Sequence, residues 1–168
     1  MVVLVRPSAD LHAAWLEAHF EWGSGQHEDG FGLLGTDDVR SPHGFRAFVD
    51  RLITEESSPG NDGCAYRWIA EDAEVLGGIA LRHENARNVD VLGHVGYGIR
   101  PSARGRGLAE AALTGMLSLA RERGMKRVLL ACFANNIPSV RTIEKCGGSL
   151  DRTVVTDDGD IERYGIAL

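Results

Sequence analysis

The sequence predicts one α/β (α+β) domain, with helices flanking a mixed, mostly antiparallel central sheet, and three observations lead to this fold class. The length of 168 residues suits a single compact domain spanning residues 1–168. Hydrophobic residues make up 43% of the chain and charged residues 25%, close to the globular average. The hydrophobic periodicity changes along the chain from helical to alternating and back again, which predicts helices on both sides of a run of strands.

The N-terminal third is predicted to contain two helices joined by a long loop. Ser8 can cap a first helix that continues to Trp22, and a second helix includes Phe45 and Ile53 at helical spacing. Between them, residues 23–44 are rich in glycine and polar side chains. A loop of this length usually serves as a lid or a binding loop, but nothing in its sequence identifies a partner.

The middle of the chain is predicted to form an antiparallel meander followed by a crossover. Three segments show strand patterns separated by polar turns: 64–70, 74–83 and 91–100. Residues 108–123 are strongly helical, and residues 128–133 read as a buried apolar strand. A strand, a helix and a strand in this order imply a right-handed parallel pair, so residues 91–133 are predicted to be one βαβ unit.

The last third is predicted to contain a short helix and a hairpin. Asn136 can cap a helix that ends at Lys145, before the pair Gly147–Gly148. Residues 149–156 and 161–167 then alternate around an aspartate-rich turn, which is typical of a hairpin.

Composition disfavours several classes of function. The net charge of -6 opposes nucleic-acid binding, which depends on neutralising phosphates with basic side chains. No apolar run approaches the length of about 20 residues that a membrane span needs, and we expect no membrane contact and a cytoplasmic location. Cys64, Cys132 and Cys146 form no CxxC pair, so neither a disulfide framework nor a metal site is predicted.

Segment 104–109, with the sequence Arg-Gly-Arg-Gly-Leu-Ala, stands where a predicted strand ends and the long helix begins. Unpaired backbone N–H groups and the positive end of the helix dipole meet at such a place, which suits a phosphate group. Glycines let an anion approach the amides, and two arginines can add charge-assisted bonds to a pyrophosphate.

Two common phosphate motifs are excluded for this segment. A dinucleotide fingerprint needs a third glycine where this chain has Glu110. A P-loop needs a lysine and a hydroxyl after its glycine, and Leu108 and Ala109 supply neither.

The chain resembles the GNAT superfamily of acyl-CoA N-acyltransferases. The family's Arg/Gln-x-x-Gly-x-Gly/Ala signature matches Arg104, Gly107 and Ala109. Its second motif, Asn-x-x-Ser followed by Glu-Lys-x-Gly, matches Asn136 and Ser139 and then residues 144–147. The resemblance is close over residues 64–168 and extends to the N-terminal third only in the order of the helices.

The resemblance implies a binding site for acetyl-CoA, without any metal. The pyrophosphate would rest on the amides of the glycine-rich segment, pantetheine would run beside the preceding strand, and the thioester would lie near the second motif. The implied cofactor-binding residues are Tyr97, Gly98, Ile99, Arg104, Gly105, Arg106, Gly107, Leu108, Ala109, Asn136, Ser139 and Lys145. Backbone N–H groups of residues 97–99 would hold the oxyanion.

The catalytic groups of the family do not carry over to this chain. Ile143 stands where many members have a tyrosine that protonates the leaving thiolate. Gly93 and Ala131 stand where two subgroups place a base glutamate. His94, Glu84 and His83 are the nearest titratable candidates for a base, directly or through a water relay, and His94 and Glu84 are the predicted catalytic residues.

The predicted function is transfer of an acetyl group from acetyl-CoA to a primary amine through a direct ternary complex. The alternative is a non-catalytic acyl-CoA-binding sensor or interaction module, which the missing tyrosine and glutamate keep open. A purely structural domain, without affinity for CoA, is a third alternative. The acceptor, either a small molecule or a peptide amine, is not identified by the sequence, and neither is the acyl-chain preference. A homodimer is compatible with the resemblance, although nothing in the sequence marks an interface.

Overall fold

The computed structural model describes residues 2–23, 30–58, 63–87 and 89–168. Within these ranges the chain forms β1 (Val3–Val5), α1 (His12–Trp22), α2 (Pro42–Ser57), β2 (Cys64–Glu71), β3 (Glu74–Arg82), α3 (Val89–Leu92), β4 (Val95–Ile99), α4 (Leu108–Glu122), β5 (Arg127–Phe133), α5 (Ile137–Lys145), β6 (Ser149–Thr156) and β7 (Gly159–Ala167). Two short 3-10 turns, Ala9–Leu11 and Pro101–Ala103, precede α1 and follow β4. None of the helices in the described part of the chain is long and apolar enough to cross a membrane.

The strands form two antiparallel sheets, with the orders β1-β2-β3-β4 and β5-β7-β6. The predicted meander is therefore confirmed, and β1 extends it by pairing Val3–Val5 with β2. Strand β1 was not predicted, because its three residues are too few to show alternation.

The sheets meet between β4 and β5, where one prediction needs correction. The strand–helix–strand order of residues 91–133 is present, but β4 and β5 share no parallel ladder within the described residues. An isolated antiparallel bridge joins Gly93 to Leu130 instead, and the two strands diverge beyond it. The predicted strand at residue 91 also begins later, because Gly93 ends the α3 turn with φ +75° and its N–H donates to the Val89 carbonyl.

Helices cover both faces of the first sheet. Alternation along β2 sends Trp68 toward α1 and α2, and Ile69 toward α4. The α1–α2 side is an aromatic core in which the rings of Trp15, Phe45 and Trp68 lie within 6.4 Å of one another. These two apolar layers hold the sheet between α1 and α2 on one face and α4 on the other.

The loop predicted at residues 23–44 is partly described, and residues 24–29 lie outside the described residues. Phe31 is fully buried among the aromatic rings. Arg51 of α2 donates to the Gly32 carbonyl at 2.8 Å and pairs with Asp37 at 2.6 Å. These contacts pack the described part of the loop against the domain. Helix α2 then begins at Pro42, with Ser41 as its N-cap.

Candidate functional site

Residues 104–107 form the turn between β4 and α4, and this turn has the geometry of an anion cradle. Gly105 and Gly107 adopt φ values of +74° and +75°, which disfavour residues with a side chain, and a Cβ at either would meet only open space. Gly107 is the N-cap of α4, and the first helical bond runs from the Ala111 N–H to its carbonyl at 3.1 Å. The N–H groups of residues 108–110 therefore lack an acceptor in the helix and lie beside the open glycines.

The two arginines of the cradle are held in different ways. Arg104 donates from Nε to the Ile99 carbonyl at 3.0 Å, which leaves most of its exposed guanidinium beside the end of β4. Arg106 is paired instead with Glu71 of β2, and this hydrogen bond lowers the pKa of the Glu71 carboxyl. An anion in the cradle would compete with Glu71 for Arg106, so the predicted contribution of this arginine needs a rotation of its side chain.

Glu21 of α1 anchors the turn that leads into the cradle, which sequence reasoning missed. Its carboxylate accepts from the Ser102 N–H at 2.5 Å, the Ser102 hydroxyl at 2.9 Å and Arg100 Nε at 2.5 Å. Burial opposes ionisation of Glu21, but these donors outweigh it and its pKa is lowered. No sequence signal could have revealed the contact, because its partners lie about eighty positions along the chain.

Helix α5 joins the cradle to the place where the sheets diverge. Lys145, at its C-terminal end, pairs with Glu110 in the first turn of α4 at 3.3 Å. Asn136 caps the other end, accepting from the Ser139 N–H at 3.3 Å, so its side-chain oxygen is used by the helix itself. The structure thus brings Lys145 to the first turn of α4, which follows the cradle, and places Asn136 at the far end of α5.

Tyr97 and Cys132 line the gap that opens between β4 and β5. The Tyr97 ring packs against the core below α4 and α5, and its hydroxyl reaches the Ser139 carbonyl at 3.5 Å. Burial raises the pKa of the Tyr97 phenol. Burial, with a further contribution from Glu162, also raises the pKa of the Cys132 thiol to about 11, so this cysteine stays protonated and is a poor nucleophile.

His94 is bound on both ring nitrogens, which argues against its predicted role as a base. Its Nδ1 accepts from the Leu129 N–H at 2.8 Å, and its Nε2 then donates to the Glu84 carbonyl at 3.1 Å. His94 is 5% exposed, and burial lowers its pKa. The ring is a neutral connector between strands, with no free lone pair for proton transfer. Glu84 contributes its backbone carbonyl to this bond, while its side chain is exposed to solvent.

Neither of the two expected glutamate positions offers a carboxylate. At Gly93 a Cβ would lie 2.7 Å from the Leu129 carbonyl oxygen, so a larger residue there would require the backbone of β5 to move. Ala131 faces Arg163 of β7 across the ladder. The Arg163 guanidinium donates to the Asp90 carbonyl at 2.8 Å and lies 3.4 Å from the Asp151 carboxylate. The side chain beside Ala131 is therefore a cation that is already paired.

In the described part of the chain, no three His, Cys, Asp or Glu side chains are grouped so that they could hold a metal ion. What the site offers is an anion cradle, the edge of a strand and a half-buried gap.

Comparison with known proteins identifies the family. Residues 4–149 match the family model for the acetyltransferase (GNAT) domain. No curated protein sequence matches the chain.

Solved structures of acetyltransferases share the fold. One is RimL, a ribosomal L7/L12 alpha-N-protein acetyltransferase in complex with coenzyme A, with 15% identity over 99% of this chain and 94% of that chain and a TM-score of 0.75. Another, from Salmonella typhimurium, modifies the N-terminal serine of L7/L12, with 15% identity over 99% and 95% and a TM-score of 0.71.

The microcin C7 self-immunity acetyltransferase MccE, in complex with acetyl-CoA and AMP, is similar at 14% identity over 99% of this chain and 92% of that chain, with a TM-score of 0.69. At these identities the likeness shows the fold alone.

Proposed function

Because the chain belongs to the GNAT acetyltransferase family, we propose that it transfers the acetyl group of acetyl-CoA to a primary amine in a direct ternary complex. The observation that carries the proposal is the open cradle at Gly105 and Gly107, which combines unpaired amides with the N-terminus of a 15-residue helix. The pyrophosphate of the cofactor would lie there, with Lys145 and Arg104 as neighbouring cations. Two of the solved relatives were crystallised with acetyl-CoA or coenzyme A, which supports the choice of cofactor.

The acetyl group would be presented at the free edge of β4. This strand pairs with β3 along one edge only, and beyond Gly93 its other edge has no ladder partner in the described chain. Backbone N–H groups of residues 97–99 on that edge would bind pantetheine and the oxyanion that forms when the amine attacks. The amine then expels the thiolate of coenzyme A and loses one proton to solvent.

The acceptor that suits this site best is an α-amino group. Only a neutral amine attacks, and an alkylammonium with a pKa near 10.4 must give up about 4 kcal/mol at neutral pH to supply one. An α-amino group, with a pKa near 8, gives up only about 1 kcal/mol. Since neither Gly93 nor Ala131 provides a base, an amine that is already partly neutral is favoured. Relatives that act on the N-terminus of L7/L12 support a peptide as the first acceptor to screen.

The test begins with calorimetric titration of acetyl-CoA into the wild type and Gly107→Glu. The variant places bulk and negative charge in the cradle, and we expect its affinity to fall by about tenfold or more. Gly124→Glu is the matched control, because Gly124 lies just beyond the other end of α4 with φ +78° and open space around it. Equal binding by the wild type and Gly107→Glu would contradict the assignment of the cradle.

Thiol release then tests the acceptor class. Acetyl-CoA should release its thiol faster with a peptide that has a free α-amino group and no lysine. Release should be slower with a peptide whose N-terminus is acetylated and whose one amine is a lysine side chain. Binding of acetyl-CoA without release for any amine would favour a non-catalytic acyl-CoA-binding module over the transferase.

A further inference from the structure

The gap between β4 and β5 contains a hydroxyl group that no described neighbour binds tightly. Tyr97 projects from β4 toward α5, and its hydroxyl lies 3.5 Å from the Ser139 carbonyl, beyond the ordinary range for an O–H donor. That carbonyl is already positioned to accept the helical bond of α5 four residues on. The Tyr97 hydroxyl is therefore available to a better acceptor.

Two other hydroxyl groups near this gap are already committed. Tyr164 of β7 donates to the Glu162 carboxylate at 2.5 Å. Thr142 of α5 donates to the Pro138 carbonyl at 2.9 Å. Ile143, on the same helix, is 1% exposed and has nothing to donate. Tyr97 is therefore placed to donate to a group entering the gap.

A thiol extending from the cradle along the free edge of β4 would pass the position of Tyr97. The cradle follows Ile99, and the Gly93–Leu130 bridge closes the gap at the other end of the strand, so Tyr97 lies between the entrance and the closed end. The surroundings are apolar and half-buried, and a negative sulfur there has little help from water. A donor at this point would stabilise charge that develops as the thioester breaks.

We propose that the Tyr97 hydroxyl donates a hydrogen bond to the sulfur of coenzyme A as the C–S bond breaks. The electron pair of that bond goes to sulfur, the carbonyl re-forms, and the nitrogen keeps the acetyl group. The amine proton leaves to solvent, and the thiolate takes a proton from solvent on release. Tyr97 keeps its own proton throughout, which agrees with the raised pKa of its phenol. The proposal rests on the proposed function, because it needs coenzyme A in the gap.

The experiment measures the pKa of the thiol of bound coenzyme A, a quantity that needs no knowledge of the acceptor. Ultraviolet absorbance of the thiolate is followed from about pH 6 to about pH 10 in complexes of coenzyme A. Matched complexes of desulfo-coenzyme A are subtracted to remove the protein's own cysteines and tyrosines. The proteins are the wild type, Tyr97→Phe and, as control, Tyr164→Phe, which removes the hydroxyl that is bound to Glu162.

A donor to sulfur favours the thiolate, so the bound thiol should titrate about one pH unit higher in Tyr97→Phe than in the wild type. Tyr164→Phe should match the wild type. Identical thiol titrations in the wild type and Tyr97→Phe would overturn the proposal, as would loss of coenzyme A binding in Tyr97→Phe alone, since that would make Tyr97 a wall of the site. Failure of the wild type to bind coenzyme A would overturn the proposed function as well.

Discussion

His94 shows that a titratable side chain near the candidate site can have all of its hydrogen-bonding atoms used by the backbone. Its two nitrogens connect the Leu129 N–H to the Glu84 carbonyl, so one ring joins β5 to the loop after β3. A neutral imidazole can make both bonds at once, because it has one donor and one acceptor. Protonation would turn the acceptor into a donor facing the Leu129 N–H, and the connection would be lost.

We predict that protein stability depends on His94 below neutral pH. The folded pKa of His94 is lowered, so below about pH 6.5 the unfolded chain takes up a proton that the folded chain does not. Its contribution is present at neutral pH and falls as the pH drops, by up to about 1.4 kcal/mol per pH unit. Urea unfolding at several pH values checks this, with His94→Gln as comparison. If the variant shows the same pH slope as the wild type, the assignment of His94 as a neutral connector is wrong.

At the scale of elements, helix α1 contacts the turn before α4 through one carboxylate. The Glu21 carboxylate accepts hydrogen bonds from the Ser102 N–H, the Ser102 hydroxyl and the Arg100 side chain. The turn before the cradle is therefore positioned by a helix on the other face of the first sheet from α4. Glu17 lies one turn earlier on α1 and is exposed.

We predict that Glu21→Ala lowers the free energy of unfolding by about 1–2 kcal/mol, since the Arg100 guanidinium and the Ser102 amide lose a charged acceptor. Hydrogen exchange at the Ser102 amide should become faster, and the affinity for acetyl-CoA should fall. Glu17→Ala is the control and should leave both unchanged. Unaltered exchange at Ser102 in Glu21→Ala would show that the turn does not depend on α1.

How much was predictable from sequence differs between elements and contacts. Helices α2 and α4, strands β2 and β3, and the β6–β7 hairpin were predicted because each carries its own periodicity over eight or more residues. The glycine-rich cradle was also predictable, since its residues are adjacent in sequence. The Glu21–Ser102 and Tyr97–Ser139 contacts were not, because they join positions 81 and 42 residues apart and depend on packing alone. The same limit explains why His94 was predicted to be a base: its hydrogen-bond partners, the Leu129 N–H and the Glu84 carbonyl, are known only from the folded chain.

At the scale of the whole molecule, the two sheets meet at a point where two backbones touch. Gly93 lies against Leu129 and Leu130, and this contact decides where the gap between β4 and β5 closes. A side chain at this position would force the sheets apart.

We predict that Gly93→Ala is more destabilising than Gly124→Ala. Both glycines have φ near +75°, so each substitution carries a similar backbone strain of about 1 kcal/mol. Only at position 93 would the new methyl group collide with backbone, adding about 1–3 kcal/mol. Urea denaturation measures the free energy of unfolding of each variant. Equal losses of stability in Gly93→Ala and Gly124→Ala would mean that the sheets can separate without a free-energy cost.

The order of strands in the second sheet has a consequence for synthesis on the ribosome. Strand β7 lies between β5 and β6, yet it is the last of the three to be made, and its Tyr164 and Ile166 fill the core. Until residue 167 has left the exit tunnel, β5 and β6 lack the strand that lies between them, so the nascent chain exposes the β5 edge that later pairs with β7 to neighbouring chains. The first sheet can assemble well before that, and the second therefore completes folding in one late step.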